Sequence, residues 1–142
     1  MSPLIDKEQI ILRLPRLKTY RKFLKQLQKL SFKEIENDPF KTGALLHYIQ
    51  LCAEICIDIG QTLIAAENFE IPEDSAQIFI VLGKEKIIPK KFAETFLTIA
   101  RFRNLLVHEY IKIDLKKVYT YLQNDLSQFE TFAKAIAKYI QV

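Results

Sequence analysis

The 142-residue sequence contains few of the residues that interrupt helices, with 3 glycines and 5 prolines. Runs in which apolar and polar residues alternate, as they do in half-buried strands, are also scarce. Tryptophan is absent, and methionine occurs only once. The scarcity of turn residues and of alternating runs argues against a sheet and indicates an all-α chain.

Cysteine and histidine are scarce as well, with 2 of each. Cys52 and Cys56 lie one helical turn apart among apolar neighbours, and no second pair of ligands accompanies them. Because a structural zinc ion needs four suitably spaced ligands, we interpret both cysteines as reduced core residues and expect neither a metal nor another cofactor. A phosphate-binding loop, a paired-histidine zinc helix and a Gly-x-Ser-x-Gly motif are also missing from the sequence.

Length and composition indicate a single folded domain over residues 1–142. Hydrophobic residues make up 49% and charged residues 27% of the sequence, as in a globular protein. The net charge of +4 makes the surface mildly attractive to polyanions such as RNA, although lysine-rich helix faces are often simply solvated. Neither a leader peptide nor an apolar run of bilayer length is evident, so we expect a cytoplasmic protein that does not enter a membrane.

The spacing of apolar residues predicts five longer helices and one short helix or turn. These are expected at about 6–29, from the capping box at 31–34 to before 37, at 39–68, at 73–82, from 88–89 onward, and at 115–140. Pro15 should kink or split the first helix, and Gly83 should end the fourth segment in the left-handed conformation. Together the segments predict an antiparallel bundle of about four to five helices that also buries a dimer interface.

The stretch from Ala100 to Tyr110 concentrates polar groups able to act on a substrate. In a helix from Lys90 onward, one face carries the apolar residues Phe92, Phe96, Ile99, Leu106 and Tyr110, and the opposite face carries Lys90, Lys91, Glu94, Thr98 and Arg101. Arg103 belongs to the apolar face. A guanidinium in that position either finds a carboxylate or an anion, or packs its stem on the core while its head reaches water.

The second candidate group is His108, five residues after Arg103. Five residues correspond to about 140° around an ideal helix, so the two side chains do not meet on one straight helix. A joint site needs the helix to end or bend near Val107, or needs a second copy of the chain. Alternatively, His108 is only a favourable cation at a helix C-terminus.

A partner for Arg103 is suggested by a line of polar residues on the otherwise apolar helix at 39–68. This line consists of His47, Gln50, Glu54, Asp58 and Gln61. It is either a solvated face or the source of a carboxylate, from Glu54 or Asp58, that fixes the orientation of Arg103.

The run Phe102-Arg103-Asn104-Leu105-Leu106-Val107-His108-Glu109-Tyr110 resembles the signature of the HEPN superfamily, and more narrowly that of the HepT toxins of HepT/MntA toxin–antitoxin systems. The run Cys52-Ala53-Glu54-Ile55-Cys56-Ile57-Asp58-Ile59-Gly60, followed by Ile71-Pro72 and by Ile87-Ile88-Pro89, appears in the same order as in that family. The resemblance covers nearly the whole chain.

This resemblance implies a HEPN-like fold and a metal-independent endoribonuclease toxin that acts as a homodimer. Arg103 would stabilise the charge of the scissile phosphate, and His108 would act as general base or acid. Asn104 would orient either His108 or the phosphate. Tyr110 matches the tyrosine that an MntA-like nucleotidyltransferase antitoxin modifies with AMP, which would block RNA by bulk and charge. The alternatives are a non-catalytic helical partner of a nucleotidyltransferase and a bundle that binds nucleic acid without cutting it.

Overall fold

The computed structural model describes residues 3–108 and 113–141, and within these residues the chain forms seven α-helices and no strand. The helices are α1 Pro3–Gln28, α2 Phe32–Glu36, α3 Pro39–Ala66, α4 Ser75–Lys84, α5 Lys90–His108, α6 Leu115–Asp125 and α7 Ser127–Ile140. The all-α prediction is therefore confirmed, with more helices than the four to five expected.

Compared with the six segments expected from the sequence, the seventh helix arises because the segment expected at 115–140 is interrupted. The helix α6 ends at Asp125, and α7 begins at Ser127. At the junction the N–H of Phe129 donates to the carbonyl of Leu126 at 3.3 Å, a tightened turn between residues three apart. Leu126 and Phe129 are both buried, so the apolar pattern continues through the break and gives no sign of it in the sequence.

Pro15 does not split the first helix, which contradicts one of the two outcomes expected for it. The proline is exposed, so the carbonyl of Ile11 that loses its helical donor can be hydrated. The hydroxyl of Thr19 donates to the carbonyl of Pro15 at 3.1 Å. The chain therefore keeps one helix across this position.

Polar caps begin four of the helices, as short side-chain acceptors usually do. Ser31 and Glu34 form the expected capping box of α2, and the hydrogen bond from the Ser31 backbone lowers the pKa of the Glu34 carboxyl. The carboxylates of Asp38, Asp74 and Asp114 accept backbone N–H groups at the starts of α3, α4 and α6.

The central element is α3, which packs against α1, α2, α4, α5 and α7. It is long and apolar enough to cross a membrane by length and composition alone, contrary to the expectation that no such run exists. In the structure it is the core helix of the bundle, with buried residues on most of its sides. Burial in the bundle therefore accounts for its high hydropathy.

Both cysteines lie in this core helix and are free and buried, as the sequence analysis predicted. Burial raises the pKa of the Cys52 thiol to about 12 and that of the Cys56 thiol well above its usual value. Both thiols are therefore protonated and unreactive at neutral pH.

An aromatic cluster fixes α5 in the bundle. Phe96 of α5 lies 4.9 Å from Phe79 of α4 and 5.3 Å from Phe132 of α7, measured between ring centroids. Phe129 of α7 completes the cluster at 5.9 Å from Phe96. All four rings are fully buried, so the helix that carries the candidate site is held on the side of its apolar face.

Gly83 does not end α4 in the left-handed conformation, and this prediction is wrong. The left-handed residue is Lys86, with φ 62°, whereas Gly83 lies within the helix. A Cβ at Gly83 would lie 2.8 Å from the Cβ of Ala93. Gly83 is therefore required for the close approach of α4 and α5, which run antiparallel as a hairpin.

We predict that Gly83→Ala destabilises the protein, whereas Gly43→Ala stabilises it. A Cβ at Gly43 meets nothing within 4 Å, so that variant gains up to about 1 kcal/mol of helix propensity. At Gly83 the same gain is opposed by overpacking against Ala93, which costs about 1–3 kcal/mol. Urea unfolding at one protein concentration measures both changes.

The double variant Gly83→Ala with Ala93→Gly is the control for this contact. The second change restores the space between the helices. The double variant should therefore lose less stability than the sum of the losses in Gly83→Ala and in Ala93→Gly. Equal stability of Gly83→Ala and Gly43→Ala would show that the helices do not depend on this contact.

Candidate functional site

The candidate site lies on α5, whose two faces are those expected from the sequence. Phe96, Ile99 and Leu106 are buried, and Phe92 is half-buried. The residues expected on the opposite face are all exposed: Lys90, Lys91, Glu94, Thr98 and Arg101. The helical periodicity therefore predicted correctly which of these residues face the core.

Arg103 is half-buried at the end of α5 that lies beside the start of α4. Its Nη2 donates to the hydroxyl of Ser75 at 3.5 Å, and Ser75 is the first residue of α4, after the capping Asp74. Its Nε is buried and has no hydrogen-bond partner. The guanidinium is thus positioned against the fold, with unsatisfied capacity to donate hydrogen bonds.

Arg21 provides an internal comparison, because its Nε is also buried and without a partner. The Nη2 of Arg21 lies 2.8 Å from the carboxylate of Glu130, an ion pair that links α1 to α7. A hydrogen bond from Lys134 and the charge of Arg21 lower the pKa of the Glu130 carboxyl. Within the described residues Arg103 has no such carboxylate.

The carboxylates expected to orient Arg103 do not do so in the structure. Glu54 accepts a hydrogen bond from the side chain of Gln50 at 3.0 Å, and Asp58 is exposed. Neither forms an ion pair with Arg103. Because Asp58 faces water and Glu54 pairs with a residue one turn away on α3, the alternative of a largely solvated line describes these residues better.

The partner that Arg103 does have, Ser75, was not identified from the sequence. Asp74 and Ser75 have the pattern of a helix start, which is a local signal. Their proximity to Arg103, 28 residues later, depends on the packing of α4 against α5. Only the relative positions of those two helices reveal the contact.

His108 is the last residue of α5 and is exposed. The helix is continuous from Lys90 to His108, so of the two conditions named for a joint site within one chain, α5 shows an end one residue after Val107 and no break before it. Five residues of helix separate Arg103 and His108 by about 7.5 Å along the axis and about 140° around it. The two side chains therefore leave α5 in different directions.

The remaining site residues predicted from the sequence are Asn104 and Tyr110. Asn104 is half-buried and follows Arg103 on α5. Tyr110, for which the sequence predicts modification, lies outside the described residues. Within the described part of the chain, no group of three His, Cys, Asp or Glu side chains is arranged to hold a metal ion.

Two known proteins that are similar to this chain over most of its length are both named HepT nucleases. The "mRNA nuclease HepT" of Shewanella oneidensis is 24% identical over 123 residues, which are 85% of this chain and 92% of that protein. The "tRNA nuclease HepT" of Aphanizomenon flos-aquae is 25% identical over 128 residues, which are 90% of this chain and 87% of that protein.

A solved structure, the tri-AMPylated Shewanella oneidensis HEPN toxin in complex with the MNT antitoxin, has the same fold. Its TM-score is 0.82 at 25% identity, with coverage of 91% of this chain and 96% of that one. This likeness confirms the HEPN-like bundle expected from the sequence. The family model described as "Ribonuclease HepT-like" matches residues 17–136. With that match over most of its length, the chain belongs to the ribonuclease HepT-like family.

Proposed function

We propose that this protein is the toxin component of a toxin–antitoxin system and a metal-independent endoribonuclease that cleaves RNA with Arg103 and His108. The observation that carries the proposal is the half-buried guanidinium of Arg103, which contacts Ser75 and has no carboxylate partner among the described residues. The names of the relatives, mRNA nuclease HepT and tRNA nuclease HepT, support RNA as the substrate.

The chemistry needs only groups that these residues carry. The ribose 2′-hydroxyl attacks the adjacent phosphorus, the bond to the 5′-oxygen breaks, and the products are a 2′,3′-cyclic phosphate and a 5′-hydroxyl. An imidazole at His108 takes the proton of the attacking hydroxyl or gives one to the leaving oxygen. The guanidinium of Arg103 stabilises the charge that develops on the phosphate oxygens. Asn104, which follows Arg103, orients the phosphate or the imidazole.

Two copies of the chain assemble this site. Because α5 is continuous to His108, Arg103 and His108 of one chain lie about 140° apart around the helix, which favours a site shared between two chains. A homodimer about a two-fold axis supplies the missing group twice, since Arg103 of each chain faces His108 of the other. Val107, next to His108, is 46% exposed and offers apolar surface for such an interface.

Regulation of the proposed activity involves an MntA-like nucleotidyltransferase antitoxin that transfers AMP to Tyr110. The related Shewanella oneidensis toxin is tri-AMPylated in its complex with the MNT antitoxin. Tyr110 follows His108 by two residues, so a bulky anion there would repel the RNA backbone from the imidazole.

We predict that the purified protein cleaves RNA in the presence of a chelator. His108→Ala should lower the cleavage rate by about 10²–10⁴, as loss of a general acid or base does. Arg103→Ala should lower it by about 10²–10³, as loss of a group that stabilises developing charge does. Arg101→Ala is the matched control, because Arg101 is exposed on the opposite face of the same helix. No cleavage by the unmodified protein would exclude the nuclease proposal.

Mixing the two inactive variants tests the shared site. If Arg103 of one chain acts with His108 of the other, a mixed dimer contains one intact site, and co-refolded variants recover about a quarter of the wild-type rate. If both groups act within one chain, no mixed dimer is active. Persistent inactivity of the mixture, with dimers present by light scattering, would contradict the proposed arrangement.

We predict that co-expression with the cognate nucleotidyltransferase adds one or more AMP groups at Tyr110 and abolishes cleavage. Intact mass and peptide fragmentation locate the adduct, and Tyr110→Phe should lack it while still cutting RNA. Tyr139, which is partly exposed, is the control tyrosine. An adduct on Tyr139 alone, or full activity of the protein modified at Tyr110, would contradict this regulation.

A further inference from the structure

The positive charge of the protein is concentrated on α1. This helix carries seven Lys and Arg residues and two Asp and Glu residues, a net +5, whereas the whole chain has a net charge of +4. The rest of the chain is therefore net −1. No acidic residue follows Glu8 in α1, so the remaining turns of the helix present charge of one sign. Such a concentration is the electrostatic footprint of a polyanion partner.

Aromatic rings lie beside this charge where α1 packs against α3. The ring of Tyr48 on α3 stacks on Tyr20 of α1, with a centroid distance of 5.8 Å, and lies 4.9 Å from Phe23. The imidazole of His47 lies 5.4 Å from the same ring. His47 and Phe23 are exposed, and Tyr20 and Tyr48 are half-buried. These four rings form one group that reaches the surface.

Arg16 lies on the same flank of α1 as the two aromatic residues of that helix. Tyr20 and Phe23 follow it by four and seven residues, about 40° and 20° around the helix from it. Arg16 is exposed. Lys22 is also exposed but lies about 120° around the helix from Arg16, on another flank. Arg16 and the rings thus lie along one surface, which we call the α1–α3 patch and define as Arg16, Tyr20, Phe23, His47 and Tyr48.

We infer that the α1–α3 patch binds an unpaired stretch of the RNA substrate outside the cleavage site. Unpaired bases can stack on the rings while Arg16 contacts the backbone phosphate, a combination typical of surfaces that bind single strands. Bases inside a duplex are already stacked on each other and do not reach the rings. The inference rests on the proposed ribonuclease function, because that function supplies the RNA.

The patch also lies on different helices from the cleavage residues. Arg103 and His108 belong to α5, and Arg103 contacts α4, whereas the patch belongs to α1 and α3. Substitutions in the patch should therefore weaken RNA binding without changing the chemistry at Arg103. This separation distinguishes a substrate-binding surface from a part of the catalytic centre.

Binding is measured in the His108→Ala protein, which leaves the RNA intact, by the fluorescence anisotropy of a labelled oligouridine. Phe23→Leu keeps an apolar side chain but removes the ring, and should weaken binding by at least about fivefold, the lower limit for loss of one stacked base. His47→Ala is the second variant, because an exposed imidazole can be removed without disturbing the core. Phe40→Leu is the matched control, since Phe40 is 88% exposed and lies outside the patch.

The electrostatic contribution is separated from stacking by the salt dependence. Arg16→Ala should lower the slope of log K against log salt by about 0.7, the value for one phosphate contact with a single strand. Phe23→Leu should lower affinity with the slope unchanged. Lys22→Ala removes the same charge from the other flank of α1 and should change both quantities less than Arg16→Ala does.

Three results would overturn the inference. The first is equal affinity of the parent, Phe23→Leu and His47→Ala for oligouridine. The second is loss of self-association in Phe23→Leu by light scattering, which would assign the patch to contact between copies. The third is binding to vesicles of anionic lipid that responds to these variants when RNA binding does not. Cleavage by the wild-type protein in chelator is assayed in parallel, so failure of the patch and failure of the nuclease proposal remain distinguishable.

Discussion

An arginine that is held against the fold and has no carboxylate partner among the described residues is the constraint on which the site depends. Leaving a buried donor unsatisfied costs about 1–3 kcal/mol, and the Nε of Arg103 is in that position. The arrangement persists because α4 and α5 are packed closely, through the contact of Gly83 with Ala93 and the rings of Phe79 and Phe96. A bound phosphate would supply the charged acceptor that the described residues do not provide to the half-buried guanidinium of Arg103.

The second constraint is the straightness of α5. A helix that continues to His108 places the imidazole about 140° around the helix from Arg103. A two-fold axis between two copies would pair groups that point in different directions on one chain. The proposed chemistry therefore includes a second copy of the chain.

Local patterns in the sequence predicted what depends on neighbouring residues. The buried and exposed faces of α5, the buried cysteines and the caps at Ser31 and Asp114 all follow from spacing within one helix or its first turn. The errors concern contacts between distant segments. Gly83 was expected to end a helix, but it lies inside α4, where only a residue without a side chain leaves room for Ala93. Arg103 was expected to pair with a carboxylate on α3, but it contacts Ser75 on α4. The break at Leu126 was missed because the apolar period continues across it. The two contacts depend on how helices pack against each other, and the spacing of residues within one segment carries no information about that packing.

The central claim is that Arg103 supplies an unpaired guanidinium to the phosphate of RNA. The most direct test is the Nε–H resonance of Arg103 in ¹⁵N-labelled His108→Ala protein during titration with a short single-stranded RNA, assigned by its loss in Arg103→Lys. The resonance of Arg21, whose guanidinium already pairs with Glu130, is the internal reference. We predict that the Arg103 resonance shifts while that of Arg21 stays in place. An Arg103 resonance unchanged at saturating RNA would contradict the claim.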